Sequence, residues 1–296
     1  MTPQPLLVIV GETCSGKTDL SLTLAKRFNG AIISADSVAI RRKMDIGSSK
    51  PSAKEQSEVP HYLIDIIDPS EEFSVALYKQ KALKAIRNIG DNNKLAILVG
   101  GSGLYINSVI YDYRFRENLN KYQRDLLETL DIQKLKEIGT DSGLAIKSID
   151  LNNKRRLIRL IETGHIRRED LNKARDNTLI IGLYNSKENK KELIKKRVEK
   201  MINDGLEKEV QALRSEYGYN DKIFCNIGYK EWIPYFNNQI CLDEVISNIV
   251  KDTSNLAKKQ KTWFRRNKSI RWFNYPLQKH LIVELVTSFI SNEHFN

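Results

Sequence analysis

An eight-residue phosphate loop near the N-terminus constrains the fold of this 296-residue chain more than any other feature. The apolar run of residues 6–10 precedes the loop, and apolar residues at helical spacing (Leu20, Leu24 and Phe28) follow it. The loop fits the pattern G-x-x-x-x-G-K-[ST] and consists of Gly11, Glu12, Thr13, Cys14, Ser15, Gly16, Lys17 and Thr18. This context predicts a strand, a phosphate-binding turn and a helix in direct succession.

The residue types of the loop are those that a polyphosphate needs. The glycines let backbone N–H groups turn toward phosphate oxygens, and the N-terminus of the following helix adds its positive dipole end. Lys17 supplies a positive charge, and the hydroxyl of Thr18 is suited to ligate Mg²⁺. We therefore predict that all eight residues bind a diphosphate and that Thr18 is a metal ligand, as in nucleotide-binding and ATP-binding P-loop proteins. The loop alone does not identify the polyphosphate.

Alternating strand and helix patterns predict an α/β fold with a P-loop NTPase-like parallel sheet. The predicted strands cover residues 6–10, 31–36, 64–67, 95–99, 178–184 and 270–273. The predicted helices cover residues 17–28, 75–89, 103–110, 188–217 and 243–264, and Ser74 is the expected N-cap of the second helix. Residues 114–175 contain no clear strand pattern, so we predict an inserted all-helical subdomain there. The catalytic core then comprises residues 1–113 and 176–296.

The charge balance favours a polyanionic partner. The chain has 48 Lys and Arg against 37 Asp and Glu, which gives a formal net charge of +11. Basic residues concentrate in residues 154–175 and 251–271, and the second cluster contains Trp263, Phe264 and Trp272. Positive charge with interleaved aromatic rings is what binding of a single-stranded RNA loop needs. Solvated helix faces above core aromatics would give the same pattern.

The sequence also argues against several classes of protein. The longest uncharged apolar runs, residues 6–10 and 95–99, are far shorter than the roughly 20 residues of a membrane-spanning helix. No basic residue precedes the first apolar run, which argues against a secretory signal. Cys14, Cys225 and Cys241 are widely spaced and form neither a zinc pattern nor a disulfide framework. We therefore expect a cytoplasmic monomer with no membrane contact.

Two further candidate residues lie at predicted carboxyl ends of strands, where open parallel sheets bind ligands. Asp36 should face the same crevice as Lys17, where its carboxylate could accept a proton or hold Mg²⁺ through water; the alternative is an Asx turn or a helix cap. The strand of residues 95–99 ends in glycines and Ser102, without a Walker-B carboxylate. Ser102 offers its hydroxyl to a ligand or caps the next helix.

Nine short segments in a fixed order give the chain a resemblance to one family. They are the phosphate loop; Asp36 and Ser37; residues 44–47 with 50–51; residues 60–61 with 63–65; residues 68–69; residues 99–101 with 103–105; the series Arg156, Arg159 and Glu162; residues 227–231; and residues 257–260 with 262–266. Together these segments, which extend over nearly the whole chain, resemble the tRNA dimethylallyltransferase (tRNA isopentenyltransferase) family.

The resemblance implies an activity, two substrates and a cofactor. The family transfers a dimethylallyl group from dimethylallyl diphosphate to N6 of the adenosine just 3′ of the anticodon in tRNA, and diphosphate leaves. By resemblance, Asp36 is the general base, Ser102 hydrogen-bonds near the bridging oxygen of the diphosphate, and Lys17 with Mg²⁺ stabilises the leaving group. The helical insertion of the family binds the anticodon stem-loop.

The resemblance also implies a tRNA path and leaves alternatives open. The residues of that path are Asp36, Ser37, Val38, Ala39, Ser102, Arg124, Arg155, Arg156, Leu157, Ile158, Arg159, Cys225, Asn226, Ile227, Gly228, Tyr229 and Lys230. The chain departs from the family's usual Gln at Ala39, from its Tyr at Arg41 and from its Gln or Arg at Cys225. It also has Ser102 where Thr is usual, which keeps the hydroxyl, and Ser254 with Asn255 where Arg-Gln is common. One alternative is therefore a divergent or degenerate paralogue that binds tRNA or prenylates another adenine acceptor such as AMP. A small-molecule P-loop kinase is another.

Overall fold

The computed structural model describes residues 4–111, 113, 121–146, 151–164, 174–185 and 190–291. The chain divides into two compact units. The larger unit comprises Met1–Tyr111 and Ala174–Asn296, and the smaller unit comprises Asp112–Lys173. The larger unit contains a β-sheet, whereas the described residues of the smaller unit form helices and their connections.

Six parallel strands form the sheet of the larger unit. They are β1 (Leu6–Gly11), β2 (Gly30–Ala35), β3 (His61–Tyr62), β4 (Leu95–Gly100), β5 (Thr178–Tyr184) and β6 (Arg271–Asn274). Their order is β3-β2-β4-β1-β5-β6, and every neighbouring pair is parallel. The predicted α/β fold with a P-loop NTPase-like parallel sheet is therefore confirmed, and the last predicted strand lies at its edge.

Thirteen helices occur within the described residues. They are α1 (Lys17–Arg27), α2 (Ala53–Glu58), α3 (Val75–Asp91), α4 (Gly103–Ile110), α5 (Lys121–Thr129), α6 (Ile132–Asp141), α7 (Lys154–Thr163), α8 (Lys190–Asn203), α9 (Leu206–Tyr217), α10 (Asp221–Phe224), α11 (Trp232–Phe236), α12 (Leu242–Arg265) and α13 (Lys279–Ser291). Ser74 caps α3 as predicted, because its hydroxyl accepts a hydrogen bond from the N–H of Leu77 at 3.2 Å. In this part of the chain, no helix is both long and apolar enough to cross a bilayer.

Helices cover both faces of the sheet, which explains why its strands are apolar without alternation. On one face, Val8 of β1 shares a core with Tyr78 of α3. On the opposite face, Ile9 of β1 shares a core with Leu20 of α1 and Ile282 of α13. Each fully buried side chain of this size is worth about 1.5–3 kcal/mol of transfer free energy. The strand that leads into the phosphate loop is therefore held firmly from both sides.

The strand predicted for residues 64–67 is wrong. β3 comprises His61–Tyr62 instead, just before the predicted range. Leu63 and Asp65 have φ angles of 62° and 56°, and extended backbone cannot continue through the left-handed region. A short apolar run does not by itself distinguish a strand from an irregular, partly buried connection.

The single helix predicted for residues 188–217 is also wrong, because the chain forms α8 and α9 there. Gly205 separates the two helices with a φ angle of 100°, a left-handed conformation that glycine adopts without strain. Residues 186–189, which include the predicted start, lie outside the described residues. Ile194 of α8 and Val210 of α9 pack in one common core.

The smaller unit has its own core among α5, α6 and α7. Leu157 and Ile158 of α7 are buried in it. Glu162, with a side chain that is 1% exposed, pairs with Nη1 of Arg124 at 3.3 Å and with Nη1 of Arg159 at 3.4 Å. Two guanidinium groups beside one buried carboxylate compensate for the loss of its hydration.

Candidate active site

Three candidate segments meet at one edge of the sheet because their strands are neighbours. Gly100 of β4 is in register with Val10 of β1 and with Ala35 of β2. The phosphate loop, Ser102 and Asp36 follow directly after these three strands. In addition, the N–H of Ser102 donates to the carbonyl oxygen of Ala35 at 3.3 Å. The predicted diphosphate-binding and catalytic residues of the core therefore lie at one edge, as expected for parallel strands.

The phosphate loop has a tightly curled backbone. Gly16 has a φ angle of 89°, and a Cβ atom there would lie 2.5 Å from the ring of Tyr275, so a larger residue does not fit. Cys14 is also left-handed, with a φ angle of 63°. No side chain caps the N-terminus of α1, which begins directly after Gly16. The hydroxyl of Ser15 is buried and has no hydrogen-bond partner among the described residues. The loop thus holds backbone and side-chain groups that a phosphate would satisfy.

Lys17 directs its charge toward its own loop. Its Nζ donates to the carbonyl oxygens of Gly11 at 3.0 Å and Glu12 at 2.7 Å. Burial lowers the pKa of Lys17 to about 8; the nearby guanidinium of Arg197 acts in the same direction, and the carboxylate of Asp36 opposes both. The positive charge of Arg197 therefore disfavours the protonated form of Lys17, and a bound phosphate anion would favour it.

Glu12 brings an acidic side chain into the loop, but this charge is paired. Its side chain is 5% exposed and forms an ion pair with Nζ of Lys190 at the start of α8. The pairing reduces the repulsion that a bare carboxylate would exert on a phosphate. Sequence reasoning missed Lys190 and Arg197 as site residues, because the pattern there predicts only a charged amphipathic helix. Their separation by two helical turns, which places both on one face, is the signal that could have found them.

Asp36 forms the Asx turn that the sequence left open. Its Oδ1 accepts hydrogen bonds from the N–H groups of Val38 at 2.8 Å and Ala39 at 3.2 Å. The turn fixes the carboxylate at the end of β2 and uses Oδ1 alone. At the same time the charge of Asp36 acts on Lys17, whose pKa it raises. Asp36 is therefore a turn anchor and also a neighbour of the phosphate loop.

Gln260 of α12 connects the phosphate loop to Gly101, the residue before Ser102. Ser102 occupies the N-cap position of α4 without a side-chain capping bond, so the capping alternative is not realised. Oε1 of Gln260 accepts from the N–H of Thr13 at 2.9 Å and from its hydroxyl at 3.2 Å, and Nε2 of Gln260 donates to the carbonyl oxygen of Gly101 at 3.3 Å. Sequence reasoning did not assign Gln260 to the site, although it lies in one of the nine matching segments.

The turn after Asp36 shows what the two departures do. Ala39 is 5% exposed, so its side chain offers little surface to a ligand. Nη1 of Arg41 donates to the carbonyl oxygens of Pro69 at 2.6 Å and Glu71 at 2.9 Å. Arg41 thus connects this turn to residues 68–71, a structural role that the sequence does not indicate.

The predicted tRNA-binding segment 225–230 mixes accessible and buried side chains. Cys225 is exposed, whereas Tyr229 is completely buried. Lys230 pairs with Oδ2 of Asp252 at 2.6 Å, and the side-chain amide of Asn226 donates to the carbonyl oxygen of Lys222 at 2.8 Å. Tyr229 is therefore part of the interior of the fold, whereas Cys225 is accessible at the surface.

The remaining predicted tRNA-binding residues lie in the smaller unit. Arg155 and Arg156 are exposed on α7, whereas Leu157 and Ile158 are buried. Arg124 and Arg159, as described above, pair with Glu162. Only part of the first basic cluster is covered, since residues 165–173 lie outside the described residues.

The aromatic side chains of the second basic cluster belong largely to the core. Phe264 is 2% exposed, and Trp263 and Trp272 pack against the same core while partly buried. The interpretation that Phe264 stacks on RNA bases is therefore wrong, and the alternative of core aromatics holds for it. The basic residues of the cluster that are exposed are Lys251, Lys258, Lys259, Arg265, Arg266, Lys268 and Arg271.

Comparison with known proteins identifies the family. The family model described as IPP transferase matches residues 39–267. The chain belongs to the IPP transferase family. Proteins named tRNA dimethylallyltransferase are 40% identical in Acetivibrio thermocellus, with 91% of each chain covered, and 39% identical in Macrococcus caseolyticus, with 99% of this chain and 98% of the relative covered. The crystal structure of a tRNA isopentenylpyrophosphate transferase from Bacillus halodurans has a TM-score of 0.76 at 34% identity, with 98% of each chain covered.

Membership of the IPP transferase family confirms the resemblance that the nine segments indicate. The match to the family model begins after the phosphate loop and Asp36. For this IPP transferase, the predicted roles of those residues rest on the loop pattern and on the geometry of three adjacent strand ends, and they stay predictions. The described residues include no group of three or more His, Cys, Asp or Glu side chains that could hold a metal ion by themselves.

Proposed function

We propose that this IPP transferase transfers a dimethylallyl group from dimethylallyl diphosphate to N6 of the adenosine 3′ of the anticodon in tRNA. The observation that carries the proposal is the convergence of the phosphate loop, Ser102 and Asp36 at adjacent strand ends. It supports a diphosphate site and a carboxylate base side by side. The names of the relatives, which are tRNA dimethylallyltransferases, support tRNA as the acceptor.

The donor side of the proposed reaction is the departure of diphosphate. The allylic carbon becomes electrophilic as its C–O bond breaks, and negative charge develops on the leaving diphosphate. Backbone N–H groups of the loop, Lys17 and Arg197 would stabilise that charge, which is commonly the largest catalytic contribution. The hydroxyl of Ser102, which makes no capping bond, is proposed to donate a hydrogen bond near the bridging oxygen.

The acceptor side is a weak nucleophile that needs a base. The lone pair of the exocyclic amine is delocalised into the adenine ring, so the N6–C bond forms as the C–O bond breaks, and one N6 proton must leave. Asp36 is proposed to take that proton on Oδ2, because Oδ1 is engaged in the Asx turn. A positioned general base is typically worth about 10²–10⁴-fold in rate.

Mg²⁺ fits the donor set at the loop only together with the diphosphate. Thr18 is exposed in the first turn of α1, and the described residues hold no dedicated metal cluster. Mg²⁺ commonly binds through substrate phosphates, water and one or two protein oxygens. Thr18 is therefore proposed to hold Mg²⁺ beside the diphosphate, where the ion would neutralise charge on the leaving group.

The tRNA is proposed to contact basic residues of both units. The exposed Arg155 and Arg156 of α7, with the exposed cations of α12, offer positive charge to RNA phosphates. The smaller unit is proposed to bind the anticodon stem-loop. Extrusion of the target base costs little free energy there, because a base in an anticodon loop is already single-stranded. A monomeric state and a cytoplasmic location stay predictions.

Transfer of radiolabel tests the proposed function directly. Purified protein is incubated with Mg²⁺, labelled dimethylallyl diphosphate and total tRNA, and AMP serves as a parallel acceptor. We expect label in tRNA at adenosine and none in AMP. Label in AMP alone would favour the divergent-paralogue alternative, and tRNA binding without transfer would favour a degenerate one. Hydrolysis of ATP without prenyl transfer would favour a kinase.

A further inference from the structure

The carboxylate of Glu209 on α9 accepts four hydrogen bonds. Oε2 accepts from the N–H groups of Asp45 at 2.9 Å and Ile46 at 2.7 Å. Oε1 accepts from the N–H of Gly47 at 3.1 Å and from the hydroxyl of Tyr229 at 2.8 Å. Three of the donors belong to a loop 162–164 residues earlier in the chain. Glu209 therefore joins two segments that are far apart in sequence.

The loop of residues 45–47 also contacts the segment that contains Tyr229. Tyr229 is completely buried, and a Cβ atom at Gly47 would lie 2.6 Å from its ring. Burial raises the pKa of Tyr229 well above its usual value, and the neighbouring charge of Glu209 raises it further. The phenol therefore stays protonated and keeps donating to Glu209.

From this loop the contacts continue to the turn that begins at Asp36. The side chain of Lys50 is 4% exposed. Its Nζ donates to Oδ1 of Asp45 at 2.6 Å and to the carbonyl oxygen of Arg41 at 2.5 Å. An unbroken series of polar contacts thus runs from Glu209 to the end of the Asp36 turn.

At its other end the series reaches segment 225–230, which combines the exposed Cys225 with the buried Tyr229. Tyr229 belongs to this segment, and Ile227 of the segment packs against the same core as Val38 of the Asp36 turn. Residues 36–41 and 225–230 therefore border one surface, which we call the acceptor side. Glu209 holds both parts of it.

We propose that Glu209 is a positioning residue that sets the spacing between the Asp36 turn and segment 225–230 for the adenosine of the tRNA. It acts through Tyr229 and residues 45–47 and does not touch substrate. The inference rests on the proposed function, because it takes the carboxylate of Asp36 as the group that faces N6. One misplacement of about 1 Å at a reacting group can cost about 10²-fold in rate.

Steady-state kinetics of two variants in the full chain test this role. Glu209→Gln replaces an acceptor oxygen by an NH₂ group that faces backbone donors. We expect kcat/KM for tRNA to fall about tenfold, as for loss of a hydrogen bond to a charged group. Tyr229→Phe removes one of the four bonds and should cost about threefold. The Kd of dimethylallyl diphosphate, measured by calorimetry without tRNA, should change less than about twofold, because the phosphate loop is formed by other residues.

The same helix provides a matched control. Glu207 accepts a hydrogen bond from the hydroxyl of Tyr235 at 3.1 Å, a pair of the same chemistry two residues away. Glu207→Gln and Tyr235→Phe should leave both constants within about twofold of the wild type.

Other results would overturn the positioning role. A lower melting temperature with unchanged constants, or equal losses for both substrates, would make Glu209 a residue of stability alone. If the wild type transfers no label, the proposed function fails instead. In that case filter binding of tRNA decides the inference, since a positioning role requires weaker binding in Glu209→Gln than in Glu207→Gln.

Discussion

The phosphate side and the acceptor side of the site are built in opposite ways. The phosphate side is formed mainly by the eight consecutive residues 11–18, which run from the end of β1 into the first turn of α1, and Lys190 and Gln260 add contacts from elsewhere in the chain. The acceptor side is assembled from residues 36–41, 45–47 and 225–230, which meet through Glu209. The departures from the family's usual residues at Ala39, Arg41 and Cys225 lie on the acceptor side, whereas the change at Ser102 keeps the hydroxyl of the family's Thr. A loop of consecutive residues depends on few distant contacts, whereas a surface assembled from three segments can be reshaped by single substitutions in any of them.

Asp36→Asn should give the largest effect and acts on the acceptor side alone. Asparagine keeps an oxygen for the Asx turn but removes the base, so kcat should fall about 10²–10⁴-fold. Binding of dimethylallyl diphosphate should remain. Single-turnover transfer to tRNA, with calorimetry of the donor, measures both. Unchanged turnover would remove Asp36 from the proton transfer.

Lys17→Met should break the phosphate side and leave the acceptor side intact. Loss of one preorganised cation at the leaving group should lower kcat about 10²–10³-fold. The Kd of tRNA in filter binding should stay within about twofold, because Lys17 bonds within its own loop. A parallel loss of tRNA affinity would contradict the separation of the two sides.

A pH titration tests the phosphate side alone, because the affinity for dimethylallyl diphosphate should change by about tenfold per pH unit. Burial lowers the pKa of Lys17 to about 8, and an anion binds best to the protonated amine. Affinity for dimethylallyl diphosphate should therefore be steady below pH 8 and weaken above it, by about tenfold per unit. Lys17→Arg, which keeps its charge, controls for titration of the ligand. Equal slopes for both proteins would exclude Lys17 as the titrating group.

Gln260→Ala should give the smallest effect and tests the link between loop and Ser102. Its amide bonds Thr13 and Gly101, so its removal should weaken dimethylallyl diphosphate binding about fivefold. Gln56→Ala is the control, because the amide of Gln56 donates to the carbonyl oxygen of Pro51 at 2.9 Å, at α2 and outside the phosphate loop. Similar constants for both variants would show that Gln260 does not shape the loop.

The parts of the fold that sequence predicts well are those specified by neighbouring residues. The phosphate loop and the edge strand at β6 follow from patterns of fewer than ten residues. The break at Gly205 was missed because apolar periodicity continues across it, although a glycine after Asn203 and Asp204 is a helix-stop signal. The false strand at residues 64–67 arose because left-handed backbone at Asp65 leaves no mark in an apolar pattern.

Only part of the candidate site can be predicted from patterns among neighbouring residues. The β-α alternation predicts a parallel sheet, and with it the meeting of Lys17, Asp36 and Ser102 at the carboxyl ends of the strands, whereas the order of the strands was not predicted. Gln260 and Glu209 act across 247 and up to 164 residues, distances at which single-sequence patterns carry no pairing information. The roles assigned to individual site residues stay predictions until the variants are measured.

The position of β1, β4 and β2 in the sheet has a consequence for how the protein loosens. Each of these strands has a hydrogen-bonded neighbour on both sides, so their amides should exchange with deuterium slowly, near the limit of global opening. Residues 45–47 are held instead by side chains, namely the carboxylate of Glu209 together with Lys50 and Tyr229, and such contacts open at lower free energy. In mild denaturant the affinity for RNA should therefore fall before the affinity for the prenyl donor does.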